Sequence, residues 1–398
     1  MAINKQKMAA RACNSAHVLH DGLVDMLYAL LPLLREAFGL TYAEVGLIRA
    51  VHKAATAAFQ MPIGMLSEKT GARSLLVIGT VLAGIAFLGL SFATGFEMIL
   101  VFIFLAGCGG AFQHPLASAI ISNAYPSEGQ RTALGIYNAL GDIGKFVFLG
   151  TTILATAWLG FSWQTPVISF GVIALIMAGS TFVFLNMANA GGPPAISAKD
   201  EIKETLQGWG IKHKKGFLTL GVVTALDNST RNGFLTFAAF LMIEKGVSTE
   251  WAAAAVLVTV FGGMCGKFAV GVLAERIGIS KTIALTEFAT AGLIVLVIIA
   301  PSLYAFFLLP FLGIFLNGTS SAIYGTVPDL IEGERHSRAY GLIYTLGSIC
   351  GLIAPLAYGY LADVSSITTT MYVVAGAVLL TVPLCGTLAR SLKDARGS

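Results

Sequence analysis

Charge is what this chain of 398 residues has least of: Asp, Glu, Lys and Arg together make up only 12%. Soluble domains carry roughly twice that share, about 25%, so most of this surface is not built for water. Five cysteines (Cys13, Cys108, Cys265, Cys350, Cys385) are scattered with no CxxC pair. They read as small apolar residues and exclude a disulfide framework. No HExxH occurs among the six histidines, which leaves metalloprotease chemistry without a basis. No GxxxxGK[ST] occurs either, so nucleotide hydrolysis is not the expected energy source. The polar N-terminus is followed by no cleavable signal core, so the first apolar segment is expected to be retained. No polar stretch is long enough to form a separate signalling domain.

What the chain has is apolar length. Apolar residues make up 56% and the mean hydropathy is +0.79. The runs suit bilayer crossing, which takes roughly 20 residues of helix. Twelve spans are predicted, near residues 16–37, 43–67, 74–93, 97–122, 131–157, 164–188, 216–243, 250–275, 281–300, 303–327, 338–362 and 368–390. Basic residues orient them. Lys5, Lys7 and Arg11 precede the first span, and Arg390, Lys393 and Arg396 end the chain. Lys69, Arg73, Arg131, Lys199, Lys203, Lys212, Lys214, Lys215, Arg276, Lys281, Arg335 and Arg338 fill the loops after even-numbered spans. The opposite loops hold only Arg35 and Lys245. Both termini are therefore expected in the cytoplasm, in the inner (plasma) membrane. The net charge of +4 is this bias itself and calls for no nucleic-acid partner.

The chain also repeats. GMLSEKTGARS at Gly64 reappears 207 residues on as GVLAERIGISK at Gly271. Gly64 and Gly71 match Gly271 and Gly278, Glu68 matches Glu275, and Lys69 matches Arg276. GIYNALGDIG at Gly135 pairs with GLIYTLGSIC at Gly341, at an offset of 206. A charged loop duplicated between apolar helices indicates a duplicated membrane bundle. The fold class expected is all-α: twelve transmembrane helices as two six-helix halves, 1–188 and 216–398, joined by a cytoplasmic linker, 189–215. Within that linker Gly191, Gly192, Pro193 and Pro194 break the preceding helix, Ala198–Gly208 could form a surface helix, and Lys212–Lys215 would meet anionic headgroups.

These motifs resemble a known family. GMLSEKTGAR is similar to the loop between helices 2 and 3 of the major facilitator superfamily, with Glu68 and Lys69 in place of the usual Asp and Arg. Ala16–Leu34 and Gly107–Ala119 resemble the fosmidomycin-resistance type of exporter within it. Two positions depart: Leu116 stands after His114-Pro115 where an acid is usual, and GDIGKF (Gly141–Phe146) replaces the exporter motif of helix 5. The resemblance implies alternating access, in which Gly64, Glu68, Lys69, Gly71, Arg73, Gly271, Glu275 and Arg276 act as a gate. Glu68 and Glu275 would accept hydrogen bonds at the starts of helices 11 and 5, or pair with arginines, locking the cytoplasmic side.

Ten ionisable side chains fall inside the predicted spans: Asp21, Asp25, Arg49, Lys53, Asp142, Lys145, Asp227, Arg231, Lys267 and Glu287. Each costs roughly 2.5–3.5 kcal/mol at mid-bilayer on insertion scales, so each invites a functional reading. His17, Asp21 and Asp25 recur every fourth residue and climb one face, with about 6 Å of rise between the two acids. They can load protons or simply satisfy Arg49 or Lys53. His17, near one end, reads as an interfacial histidine. Arg49 and Lys53, flanked by His52, can clamp a carboxylate or phosphonate, or neutralise the helix 1 acids. Asp142 and Lys145 can pair, and Gly141 and Gly144 allow a close helix seam. Asp227, matched to Asp21 by the repeat, can bridge to Arg231. His114 before Pro115 is either a titratable gate or a buried bonded ring. Lys267 and Glu287 look isolated.

The expectation is a non-enzymatic, monomeric secondary transporter. Its expected partners are protons, a small-molecule substrate and the lipid bilayer, with no cofactor and no bound metal. Asp21, Asp25, Asp142, Asp227 and His114 are the proton-coupling candidates, and Arg49, His52, Lys53, Lys145 and Arg231 the substrate-binding ones. Proton-linked export of a small polar or anionic solute or drug is expected. Proton-coupled uptake of an organic anion, and transport of a metal or its chelate through His17, His20, Asp21 and His114, are the alternatives.

Overall fold

The computed structural model describes residues 5–125, 127–193, 211–331 and 336–397. Among these, fifteen α-helices follow one another: α1 (Lys5–Phe38), α2 (Tyr42–Thr70), α3 (Ala72–Leu90), α4 (Phe96–Gly110), α5 (Gln113–Ala124), α6 (Ser127–Ile153), α7 (Gln164–Met187), α8 (Lys214–Glu244), α9 (Thr249–Ala252), α10 (Ala254–Ile277), α11 (Ile279–Ile299), α12 (Ser302–Leu330), α13 (His336–Val364), α14 (Ile367–Leu379) and α15 (Thr381–Gly397). Joining α4 to α5, α9 to α10 and α14 to α15 across their short breaks leaves twelve rods. A π-helical turn, Leu154–Trp158, prolongs α6. Ten of the rods are long and apolar enough to cross a membrane. α2 and α8 fall short because Arg49, His52 and Lys53, and Asp227, Asn228 and Arg231, dilute their hydropathy. Large apolar side chains such as Phe268, Met61, Leu218 and Trp158 stand exposed on the outside, as a lipid-facing surface requires.

Two boundaries differ instructively from the sequence expectation. α1 begins at Lys5, well before residue 16, because Ala9, Ala12, Cys13 and Ala16 put an apolar stripe on one face. That stripe packs with Leu76, Leu116, Ile120, Tyr137 and Leu185 in one core cluster. The fourth rod breaks at Ala111–Phe112, and Pro115, which lacks an N–H, sits in the first turn of α5. The surface helix expected over Ala198–Gly208 and the side chain of Glu68 lie outside what the structure describes.

Contacts divide the chain into two compact units, Met1–Leu40 with Val51–Lys203, and Thr41–Ala50 with Glu204–Ser398. In the first, α1 packs against α5, α6 and α7. It is the most enclosed of the apolar spans, and the polar residues it carries are thereby kept from lipid. In the second unit, α12 packs on α10 and α11, and α8 on α13. Glycines set the α10–α12 spacing: Gly262 lies on the Pro310 carbonyl, Gly266 on Ile314 and Gly313 on Thr259. The first unit repeats the last contact in register, with Gly107 on the His52 carbonyl.

Acids finish helix starts in the second unit. The Asp363 carboxylate accepts the N–H groups of Tyr42 and Ala43, both at 2.8 Å, at the start of α2. Glu244 accepts from the Ile367 N–H (3.2 Å) and the Thr368 hydroxyl (2.9 Å) at the start of α14. In both cases an anion meets the positive end of a helix dipole. Gly71 and Gly278 take φ of 86° and 90°, which only glycine adopts without strain, so the duplicated loop is one turn built twice.

Candidate functional site

The first unit gathers its polar residues at one place. α1 presents His17, His20 and Asp21 on successive turns, and all three are buried. The break between α4 and α5 puts His114 in the first turn of α5, where its Nε2 is 3.6 Å from Asp21 Oδ1. α6 brings Lys145, whose Nζ is 3.2 Å from Asp21 Oδ2 and 3.0 Å from Asp142 Oδ1. Asp25, one turn from Asp21, is a further charged neighbour of Lys145. The approach of α6 to α1 depends on small residues. A Cβ on Gly141 would strike the His17 ring and come within 2.8 Å of Asp21 Oδ2, and one on Gly144 would overlap the Val18 carbonyl. The Gly141–Gly144 seam and the Asp142–Lys145 pair read from the sequence are thus both present.

Hydrogen bonding then dictates a tautomer. His17 Nδ1 lies 2.8 Å from the Tyr137 carbonyl oxygen, which can only accept, so Nδ1 carries a hydrogen. The ring is also stacked on Tyr137, with centroids 3.8 Å apart, and so cannot turn freely. Nε2 therefore faces Asp21 Oδ1, 3.3 Å away, either as an imidazolium N–H or as a lone pair. Nε2 has no hydrogen-bond partner, so it offers a place for a proton between ring and carboxylate. His114 meets the His17 and His20 rings edge-on and is 44% exposed at its side chain, against 3% for His17. It is the most exposed side chain of the cluster, ahead of Lys145 at 27%. His17 is therefore part of the site, where the sequence suggested an interfacial histidine or, in the metal-transport alternative, a ligand. Its Tyr137 partner lies 120 positions away and leaves no local signal.

One ligand atom from each of His17, Asp21 and His114 falls within 4.8 Å of the others. Two imidazoles and a carboxylate suit a transition metal. Lys145, however, already supplies the cation on Asp21, and a metal ion would sit against its ammonium. The donor set does not fit a metal with Lys145 charged.

On α2, Arg49 and His52 are each 2% exposed and Lys53 is half-buried; Lys53 is a charged neighbour of His20 and His114. In the second unit, Asp227 Oδ2 lies 3.6 Å from Arg231 Nη2, as the i, i+4 spacing suggested, and Arg231 also donates to Asn228 Oδ1 at 2.5 Å. Glu287, which looked isolated, is 1% exposed with Asp227 and Arg231 as its charged neighbours. Lys267 is exposed.

The two loop copies differ. At the first, the backbone of Gly192–Pro193 covers Gly71, Arg73 N–H donates to the Gly191 carbonyl (2.7 Å), and the Arg73 side chain donates to Asn186 Oδ1 (2.8 Å). The second borders an open cavity of about 830 Å³ lined by Glu275, Lys281, Ser321 and Lys393. Glu275 is exposed and makes no ion pair among the described residues. Gly64 and Gly271 lie inside helices with open space where a side chain would go, so close packing does not explain their recurrence.

The sequence profile of the Major Facilitator Superfamily matches residues 15–312 and 266–396. An uncharacterized transporter of this type from Bacillus subtilis, YfnC, is 27% identical over 368 residues, covering 90% of this chain and 87% of the relative. The probable sulfoacetate transporter SauU of Cupriavidus necator is 24% identical, covering 87% and 85%. The fosmidomycin resistance protein of Escherichia coli is 24% identical, covering 97% and 92%. A bacterial homologue of the human lysosomal transporter Spinster shares the fold, with a TM-score of 0.73 at 16% identity over 100% of this chain and 98% of its own. With twelve helical rods, a duplicated loop and a profile match along nearly its whole length, the chain belongs to the major facilitator superfamily of membrane transporters.

Proposed function

We propose that the protein is a proton-coupled secondary transporter of a small organic anion, working by alternating access in the plasma membrane as a monomer with both termini cytoplasmic. The observation that carries this reading is the His17–Asp21 contact, where Nε2 faces one carboxylate oxygen at 3.3 Å with room for one proton while Lys145 stands 3.2 Å from the other. A substrate carboxylate or sulfonate at Lys145 competes with Asp21 for the ammonium. Protonating Asp21 removes that competitor, so proton and anion bind together. Such linkage favours co-transport over exchange. The likeness to a probable sulfoacetate transporter supports the solute class. Within the first unit Asp25 and Asp142 extend the proton site, and His52 and Lys53 the anion-binding surface; in the second unit Asp227 is a separate proton-coupling candidate, and Arg49 and Arg231 are separate anion-binding candidates. The glycine turns and charged residues of the repeated loops, Gly64–Arg73 in the half 1–188 and Gly271–Arg276 in the half 216–398, serve as the gating elements that alternating access requires.

Export in exchange for protons is the second reading, favoured by the match to the fosmidomycin resistance protein over 97% of the chain. Direction is measurable in proteoliposomes enclosing a pH-sensitive dye, with sulfoacetate, simple sugar acids and fosmidomycin offered outside. Co-transport acidifies the lumen as solute enters. Alkalinisation on entry would establish exchange instead. Solute movement with no pH change for any active compound would refute proton coupling.

A further inference from the structure

The second unit contains an uneven buried charge. α8 contributes Asp227, 3% exposed, and Arg231; α11 contributes Glu287, 1% exposed. Asp227 stands 3.6 Å from the Arg231 guanidinium, and Glu287 has Asp227 and Arg231 as its charged neighbours, so two buried acids face one base in an interior that solvates charge poorly. Among the described residues the other titratable groups do not restore the balance: Cys350 and Tyr358 of α13, which packs on α8, are neutral donors. Tyr324 of α12 bonds to Arg231 and Asn228, and Cys385 of α15 neighbours Glu287; both are neutral donors. Asp329 stands in the last turn of α12, Arg390, Lys393 and Asp394 of α15 are exposed, and Cys265, Lys267, Glu275 and Arg276 of α10 and Tyr372 of α14 are exposed as well. Orphaned atoms mark the same spot: Asp227 Oδ2 and Glu287 Oε1 have no hydrogen-bond partner, nor have the hydroxyls of Thr230 and Thr290, one turn along each helix. A buried carboxylate oxygen without a donor is costly; a carboxyl group bearing a proton becomes a donor itself.

We infer that Asp227 and Glu287 hold one exchangeable proton between them, forming a second proton-binding site in the C-terminal unit, distinct from His17–Asp21. Arg231 stands 3.6 Å from Asp227 and keeps that acid ionised, so the proton resides on Glu287. Binding takes the pair from two negative charges to one, which Arg231 then neutralises. No bond but O–H forms, and the proton comes from water entering the site. The duplication thus retained an acid at matched places on α1 and α8, while each half assembled its own proton partner: an imidazole in the first, a second carboxyl in the other.

Infrared difference spectroscopy of the purified full-length protein tests this without any substrate, so its outcome is independent of the transport reading. At neutral pH a protonated-carboxyl stretch that shifts in D₂O is expected, and Glu287→Gln should remove it. Asp227→Asn should remove it too, because the remaining acid would ionise against Arg231. Arg231→Gln should add a second such band. These three variants keep the proposal testable if one of them fails to fold. If Glu287→Gln and Asp227→Asn each remove only an ionised-carboxylate band, the site carries no proton and the proposal falls. A carboxylate band at neutral pH, together with thermal stabilisation by NaCl but not KCl, would make the occupant sodium and equally overturn it.

Discussion

Asp21→Asn should abolish uphill, pH-driven accumulation of solute while leaving solute binding in place. The substituted amide can still contact His17 and His114, and Lys145 keeps Asp142 as a partner at 3.0 Å, so the site stays assembled. What disappears is the carboxylate that exchanges its proton with His17. One-for-one co-transport across a gradient of one pH unit sustains about tenfold accumulation, because roughly 1.4 kcal/mol corresponds to a factor of ten. In the variant that ratio should fall to equality, with no dye response, while solute still raises the melting temperature. His17→Gln should weaken coupling less, since Asp21 remains able to take a proton. Undiminished proton movement in Asp21→Asn would remove this carboxylate from the mechanism.

The largest stability loss should come from Gly266→Leu. Gly266 lies on the Ile314 carbonyl, and one turn away Gly262 lies on the Pro310 carbonyl, so the axes of α10 and α12 are held closer than a side chain permits. The obstructing atoms are backbone, which cannot swing aside as a rotamer can. Overpacking usually costs about 1–3 kcal/mol, and this position should reach or exceed the upper end, seen as a clear fall in melting temperature in detergent and poor recovery. Gly271→Leu is the internal control. It lies further along the same helix, has nothing within 4 Å of where a Cβ would stand, and should melt like the unaltered protein. If it also loses transport, the recurring glycine belongs to the gate and not to packing. Equal melting of both variants would dismiss the seam as a determinant of stability.

Much of this architecture is legible in the sequence. A bilayer demands helices of a set length with satisfied backbones, so apolar runs such as 164–188 map closely onto α7 (Gln164–Met187). The loop repeat likewise marks Gly71 and Gly278, whose positive φ the structure displays. Local patterns fail where a distant partner decides. The N-terminal extension of α1 is polar by composition, yet helical because Ala9 and Cys13 find Leu76 and Leu116. The pairing of Asp142 with Lys145 is visible at i, i+3, whereas the Lys145–Asp21 bridge joins residues on helices far apart in the chain.

Composition and periodicity settle which residues cannot face lipid, because each charge in a hydrocarbon environment carries the same penalty wherever the helix packs. They single out Asp21, Lys145, Asp227 and Glu287 and state that each must be enclosed. They carry no information on which helix encloses which. Glu287 reads as isolated along α11, and acquires a chemical role only because α8 sets Asp227 and Arg231 beside it. His17 becomes a proton partner only because the Tyr137 carbonyl on α6 claims its other nitrogen. A single helix displays its faces to any reader of the sequence, so the His17–Asp21 spacing at i, i+4 is legible there; which ring nitrogen is left for the acid, and which groups surround Glu287, are set by helix packing alone.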